Sequence, residues 1–423
     1  MAPSDEKDPG RRVPIRTLTF AAKVAASGLA VIALMECALR LFPAVIPVTL
    51  LWRFDETLRS AIARRMDLPT KANTVILERD DGGPPLALCK PLARISFHFT
   101  DPGVVKTVVM DEGGFCNPPW CRYDVPRIDL ITIGDSFTWC TSVAPDQTWT
   151  ARLAILGGVT AYNLGMKGIG LHEYVQILKA RGLAKSPRVV IMNAYEGNDL
   201  RDALRFRSHR EGKGPGAATQ RTAPSSWIAP LRQRSYVLNL LLAVMSSEEP
   251  DAQAEDRDPA GPREDFRYSV EGRDGPIPFN PRNVDRGEVV IARKLRAGEA
   301  RLEELRPPLE EFIRLSQRHR FVPVVAYTPS AHTAYAARVR FEDPSLAELM
   351  RWFSAAQREF FDRSGREMGY VFLDLTLPMQ EAAGDHIGRD DLLYYQTNLH
   401  LTRHGHEVVA GALHERLKAL GVL

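Results

Sequence analysis

From Leu130 to the C-terminus, short apolar or β-branched runs alternate with longer stretches of helical periodicity, and this alternation constrains the fold more than any other feature of the chain. The strand-like runs are Leu130 to Ile133, Thr160 to Asn163, Val189 to Ala194, Val322 to Tyr327 and Tyr370 to Leu375. Helical patterns at Gln147 to Leu156, Leu171 to Arg181, Ala292 to His319 and Leu346 to Ser364 lie between them. A last helix is predicted from about Arg403 to Leu420, with Thr402 as its N-cap and Gly421 just past its end. The pattern is that of an α/β protein, a parallel sheet with helices on both faces.

The rest of the chain reads differently. Residues 70–127 are rich in Pro, Gly and short β-like runs such as "ISFHF" and "VVKTVVM", which predicts a small β-rich lead-in. Between the third and fourth strands, Ser208 to Pro224 and Ser246 to Asp285 are dominated by Gly, Pro, Arg, Asp, Glu and Ser. Such composition buries little, so an insertion at about 205–290 is expected to be mobile in part. Within it "SYVLNLLLAVM", Ser235 to Met245, is an apolar helix-like patch, read as a packing helix or as a lid over a site.

At the N-terminus, Thr17 to Met35 is 19 residues with one charge, Lys23, and a helix of that length reaches about 28 Å, close to a bilayer core. Lys23 lies near one end, where it can snorkel, and Lys7, Arg11, Arg12 and Arg16 precede the run. The positive-inside tendency places the N-terminus in the cytoplasm and the remainder outside. A cleaved signal and a core helix are the competing readings; no small-x-small cleavage site comes after the apolar stretch. Leu41 to Trp52 is a second apolar run, interrupted by Pro43 and Pro47 and too short to span. The expected organisation is a cytoplasmic tail (1–16), a transmembrane anchor (17–40), a juxtamembrane segment (41–69), the lead-in (70–127) and the α/β domain (128–423).

The chain has 55 basic and 52 acidic residues, a formal net charge of +3, which argues against nucleic acid as a partner. Five cysteines are too few for a disulfide scaffold and lack paired CxxC spacing. Cys116 and Cys121, in "CNPPWC", are candidates for a short-loop bridge in an oxidising compartment or for two unpaired thiols, and Cys140 reads as an inert thiol.

In an open parallel α/β sheet, ligands bind beyond the carboxyl ends of the strands. Gly134-Asp135-Ser136 stands at the end of the first strand, "NLGMKGIG" from Asn163 to Gly170 at the end of the second, and "YEGNDL" from Tyr195 to Leu200 at the end of the third; "TNLHLTRHGH", Thr397 to His406, precedes the last helix. Acyl transfer needs such a set. A serine hydroxyl is a weak nucleophile until a base takes its proton, and histidine suits that role. The tetrahedral intermediate needs donors aimed at its oxyanion, which backbone N–H groups at glycine turns and an asparagine amide supply. On this reading Ser136 attacks and His400 is the base, while the N–H groups of Ser136 and Gly168 and the side chain of Asn198 form the oxyanion hole.

These four blocks, in this order and on these strands, resemble the SGNH (GDSL-like) hydrolase family, in its bacterial membrane-anchored form. The match covers about residues 128–203 and 320–420; Glu36 and Arg40, a Glu-x-x-x-Arg pair at the end of the anchor, also fit that subset. The resemblance implies strand order 2-1-3-4-5 and assigns Ser136 as nucleophile, Gly168 and Asn198 to the oxyanion hole and His400 as base. It also implies an aspartate two or three residues before the histidine, where this chain has Thr397 and Asn398. Asn398 can orient an imidazole through its carbonyl oxygen but supplies no charge; Asp374, Asp390 and Asp391 are the candidates to replace it. Asp135 reads as a loop brace, Gly165 and Gly170 as turn glycines, and His404 and His406 as packing or surface residues rather than metal ligands.

The function expected is hydrolysis or transfer of a short acyl group, such as acetate, on an extracytoplasmic glycan or similar ester, without metal or organic cofactor. A catalytically impaired member that binds glycan or envelope assembly partners is the alternative. A lipid or lysophospholipid esterase, with an apolar pocket under Ser235 to Met245, is the third.

Overall fold

The computed structural model describes residues 15–51, 54–66, 74–97, 99–212, 229–245, 265–384 and 387–423. They fall into two compact units, Met1–Thr70 with Pro224–Ala252, and Lys71–Ala223 with Gln253–Leu423.

The larger unit is built on five strands: β1 (Leu130–Gly134), β2 (Ala161–Asn163), β3 (Val189–Tyr195), β4 (Val322–Thr328) and β5 (Val371–Asp374). All pair in parallel, in the order β2-β1-β3-β4-β5. Side chains alternate across a strand, so a sheet covered on both faces calls for largely apolar strands. β1 and β3 are buried throughout, and their buried polar residues Thr132 and Asn193 are hydrogen-bonded to Thr150 and Thr328. On one face Ile131, Ile133, Val190 and Met192 pack with Tyr174, Phe312 and Phe353; on the other Leu130, Val189 and Ile191 pack with Trp149, Leu153, Val409 and Leu413. The chain's winding reverses at β1, whose neighbours are β2 and β3, and such a switch point leaves a crevice at the carboxyl ends of the strands.

Two expectations for this unit change. The predicted helix from Ala292 to His319 is two helices, Gly287–Arg296 and Arg306–His319. Pro307 and Pro308 open the second, where their missing N–H groups cost no hydrogen bond, and they cannot continue the first. Nor is the end of the insertion mobile. Tyr268–Gly272 and Gly275–Phe279 form a hairpin joined by Val339–Phe341, and its alternate residues Tyr268, Val270, Ile277 and Phe279 are buried. A composition count over Ser246 to Asp285 averages over this period-two pattern and misses it. Of the segments expected to be mobile, 213–224 and 246–264 lie outside the described residues.

The lead-in contains two antiparallel pairs, Thr74–Leu77 with Leu86–Cys89 and Arg94–Ser96 with Thr107–Val109. Its cysteine chemistry corrects the sequence reading. Cys116 is bonded to Cys140, with Cα atoms 6.0 Å apart, and Cys121 is buried and free. Sequence proximity favours Cys121 as the partner of Cys116, but packing of the lead-in on the sheet brings up Cys140, so Cys140 is not an inert thiol.

In the smaller unit, helix Ile15–Leu41 covers residues 17–40, where a transmembrane anchor is expected from sequence. No helix among the described residues is long and apolar enough to cross a membrane. Glu36 accepts hydrogen bonds from Ser235 Oγ and from the N–H groups of Tyr236 and Val237, capping the start of helix Tyr236–Met245, and is paired with Arg40. Tyr236, Val237 and Ala243 share a core with Leu39, Ile46, Leu51, Phe54, Leu58 and Ile62. The apolar face of this helix is thus used in packing within its own unit, which removes the ground for reading it as a lid.

Candidate active site

Three of the residues singled out by sequence lie past the carboxyl ends of β1, β2 and β3. Ser136, half-buried, lies just past β1, Gly168 in the loop after β2, and Asn198 just past β3 at the start of helix Asp199–Arg210. His400 arrives on the loop before helix Arg403–Ala419, whose N-cap is Thr402 as predicted.

His400 Nε2 is 2.9 Å from Ser136 Oγ, and His400 Nδ1 is 2.8 Å from the main-chain oxygen of Asn398. A carbonyl oxygen can only accept, so Nδ1 carries the proton, and Nε2 is left as acceptor for the serine hydroxyl. This is the tautomer a general base needs. The ring is buried and stacks on Phe137 at 4.8 Å, and Phe137 stacks on Tyr195. Burial pushes the imidazole pKa down to about 4, against which the Asn398 carbonyl acts weakly.

Asn398 therefore orients the imidazole, but through its main chain. Its side chain does other work: Oδ1 accepts from the N–H of His400, and Nδ2 donates to Ser142 Oγ. The side-chain role expected for Asn398 is corrected accordingly, since the peptide carbonyl is already seated at Nδ1. None of the proposed replacement aspartates meets the ring. Asp374 is taken up by Arg358 and the N–H of Thr376, and Asp390 and Asp391 are exposed on the turn Arg389–Asp391.

Asn198 Nδ2 donates to Asp135 Oδ2 at 3.1 Å, and Asp135 Oδ1 accepts from the N–H of Phe137. Asp135 thus braces the serine loop and aims the amide of Asn198, the structural role expected of it; burial raises its pKa. Asp199 holds the end of β3 by accepting from Tyr174 Oη and the N–H of Tyr195. Among the described residues, the N–H groups of Ser136 and Gly168 find no acceptor in the protein. Gly168 has φ +72°, a left-handed conformation that turns its N–H independently of its neighbours. Gly165 is not a turn glycine of that kind. A Cβ there would lie 2.7 Å from the N of Trp139 and 2.8 Å from the carbonyl carbon of Thr138, so glycine lets the loop after β2 touch the serine loop.

Sequence reasoning missed what holds these loops. Asn163 donates to Thr138 O and accepts from the N–H of Gly165, and Asn117 of the lead-in bonds both main-chain groups of Asn163. His406, read as a packing residue, is buried and accepts the N–H of Trp149; His404 is exposed. Glu196, Glu288 and His332 form a buried group whose ligand-type atoms all lie within 4.8 Å, the arrangement among the described residues that could hold a cation. Its oxygens already accept from Thr333, Tyr327, Ser354, Ser330 and His332, so hydrogen bonds complete the group. Two adjoining grooves share His172, Phe206, Arg210 and Pro307 and contain none of the four site residues.

No protein-family model and no curated protein matches the chain. Solved structures similar to it include one described as a G-D-S-L family lipolytic protein from Desulfitobacterium hafniense DCB-2, at 13% identity and TM-score 0.36, covering 70% of this chain and 100% of that one. Another is Axe2, an acetylxylan esterase from Geobacillus stearothermophilus, at 12% identity and TM-score 0.36, covering 70% and 94%. A third is LAE5, an alpha/beta hydrolase from the metagenome of Lake Arreo, Spain, at 12% identity and TM-score 0.34, covering 71% and 98%.

Proposed function

We propose that the chain is a serine-dependent ester hydrolase or acyltransferase of the SGNH type, with Ser136 as nucleophile and His400 as base. The observation that carries this is the contact of Ser136 Oγ with a His400 Nε2 whose other ring nitrogen is fixed as a donor. Attack by Ser136 on an ester carbonyl would pass the hydroxyl proton to Nε2. The oxyanion would be met by the N–H groups of Ser136 and Gly168 and by the second Nδ2 hydrogen of Asn198. Collapse of the intermediate would break the ester C–O bond, the alcohol leaving with the proton held on Nε2. The acyl group on Ser136 Oγ would then pass to water or to an acceptor hydroxyl whose proton the same Nε2 takes, and that proton would return to Ser136 Oγ as the acyl bond to it breaks.

The extracytoplasmic side of a membrane is the proposed location, with an O-acetylated glycan as the substrate class. The buried Cys116–Cys140 bridge supports an oxidising compartment. Helix Ile15–Leu41 leaves Leu29, Val31, Ile32, Leu34 and Leu41 exposed, an apolar surface suited to lipid contact.

The test is labelling of the full chain with a fluorophosphonate probe and then peptide mass spectrometry. Covalent modification at Ser136 that is lost in Ser136→Ala and His400→Ala is expected. A folded chain that takes no label would transfer the reading to a binding or assembly protein.

A further inference from the structure

We infer that Asp101, from the lead-in, is the positioning residue of the Ser136–His400 pair; this rests on the reading of Ser136 as nucleophile. The loop that presents His400 has an unfavourable backbone. Leu399 has φ +58°, a left-handed conformation in a residue with a Cβ, and that turn is what folds the His400 ring back onto the Asn398 carbonyl. Ser142, which receives Asn398 Nδ2, is likewise left-handed at φ +66°. Such conformations persist only where surrounding contacts determine them.

Asp101 supplies the contact at the entry to this loop. Its Oδ1 accepts the N–H of Thr397 at 2.7 Å, three residues before His400 in sequence. The residue is 7% exposed, and its Oδ2 is buried without a protein partner, so the carboxylate is aimed into the junction rather than into solvent. The turn that carries it is wedged between the two loops of the site. Val105 N–H donates to Ser142 O on the serine side, and on the histidine side the single Tyr395 hydroxyl hydrogen is shared between Ser142 O at 3.1 Å and Gly103 O at 3.3 Å. Phe99, two residues earlier, lies against the His400 ring. The chain thus has a carboxylate beside Thr397 and Asn398, where the resemblance places an aspartate. It comes from a separate segment and acts on the loop backbone, leaving Nδ1 to the Asn398 carbonyl.

The geometry required is that of an acceptor at Oδ1, which asparagine retains and alanine lacks. In the full chain, Asp101→Ala is expected to slow fluorophosphonate labelling of Ser136 by about 100-fold, the scale of a misplacement near 1 Å, with the probe's saturation constant within about twofold. Asp101→Asn is expected to stay within about fivefold of the unsubstituted chain. A rate in Asp101→Ala equal to that of the unsubstituted chain overturns the inference, as does an Asp101→Asn rate as low as that of alanine. A general loss of stability would not separate the two variants by acceptor geometry. If Asp101→Ala does not fold, amide hydrogen exchange in the unsubstituted chain decides. The Thr397 N–H is expected to be protected, and exchange at the free-peptide rate would overturn the assignment. Absence of labelling in the unsubstituted chain is failure of the nucleophile reading, which the exchange measurement does not share.

Discussion

Cys116 is bonded to Cys140, and Cys140 lies in the same loop as Ser136, so the strand-rich lead-in is covalently tied to the segment that carries Ser136. With a sequence separation of 24, the bridge is worth roughly 3 kcal/mol by the loop-entropy relation. Cys116→Ser with Cys140→Ser is expected to lower the melting temperature, and reductant is expected to lower that of the unsubstituted chain toward the same value. Identical melting curves with and without reductant would refute the brace.

Activity should persist well into the acid range. On the proposed reading His400 must be neutral to accept the proton of Ser136, and burial holds it at about 4 rather than near its ordinary value. The acid limb of the rate of p-nitrophenyl acetate cleavage is expected near pH 4. For stability, a depressed histidine pKa favours the native state fully above the unfolded value of about 6.5, and the advantage is lost as pH falls toward 4. A limb near pH 6.5 would show that solvent or an anionic group reaches the ring.

Asn198→Ala removes the side-chain donor proposed for the oxyanion hole and leaves Asp135 Oδ2 without its amide. A loss of about 10²- to 10³-fold in kcat is expected, with a smaller change in KM. Unchanged kcat would exclude Asn198 from the oxyanion hole.

Gly165→Ala places a methyl group against the backbone of Thr138 and Trp139, neither of which can swing aside as a side-chain tip can. The loops after β1 and β2 must part, so reduced labelling at Ser136 and a lower melting temperature are expected together. Gly168→Ala meets open space and carries only the strain of its φ, about 1–2 kcal/mol. A milder effect at Gly165 than at Gly168 would contradict the close-approach account.

Much of the site was legible because its carriers are local. β1 to β5 arise from apolar runs, and Ser136, Gly168 and Asn198 each sit just past one of them, where an α/β sheet presents its ligands. The hairpin at Tyr268–Gly272 escaped because averaged composition hides alternation.

What sequence alone determined is therefore the set of elements and the identity of the residues at their ends, since contacts two, three or four residues apart leave a period in the chain. Only the tertiary structure decided which main-chain carbonyl seats His400, which cysteine pairs with Cys116, and that Asp101 reaches Thr397 across 296 residues. Those choices depend on how whole surfaces pack, and no periodicity records a contact between segments that meet only after the sheet has formed.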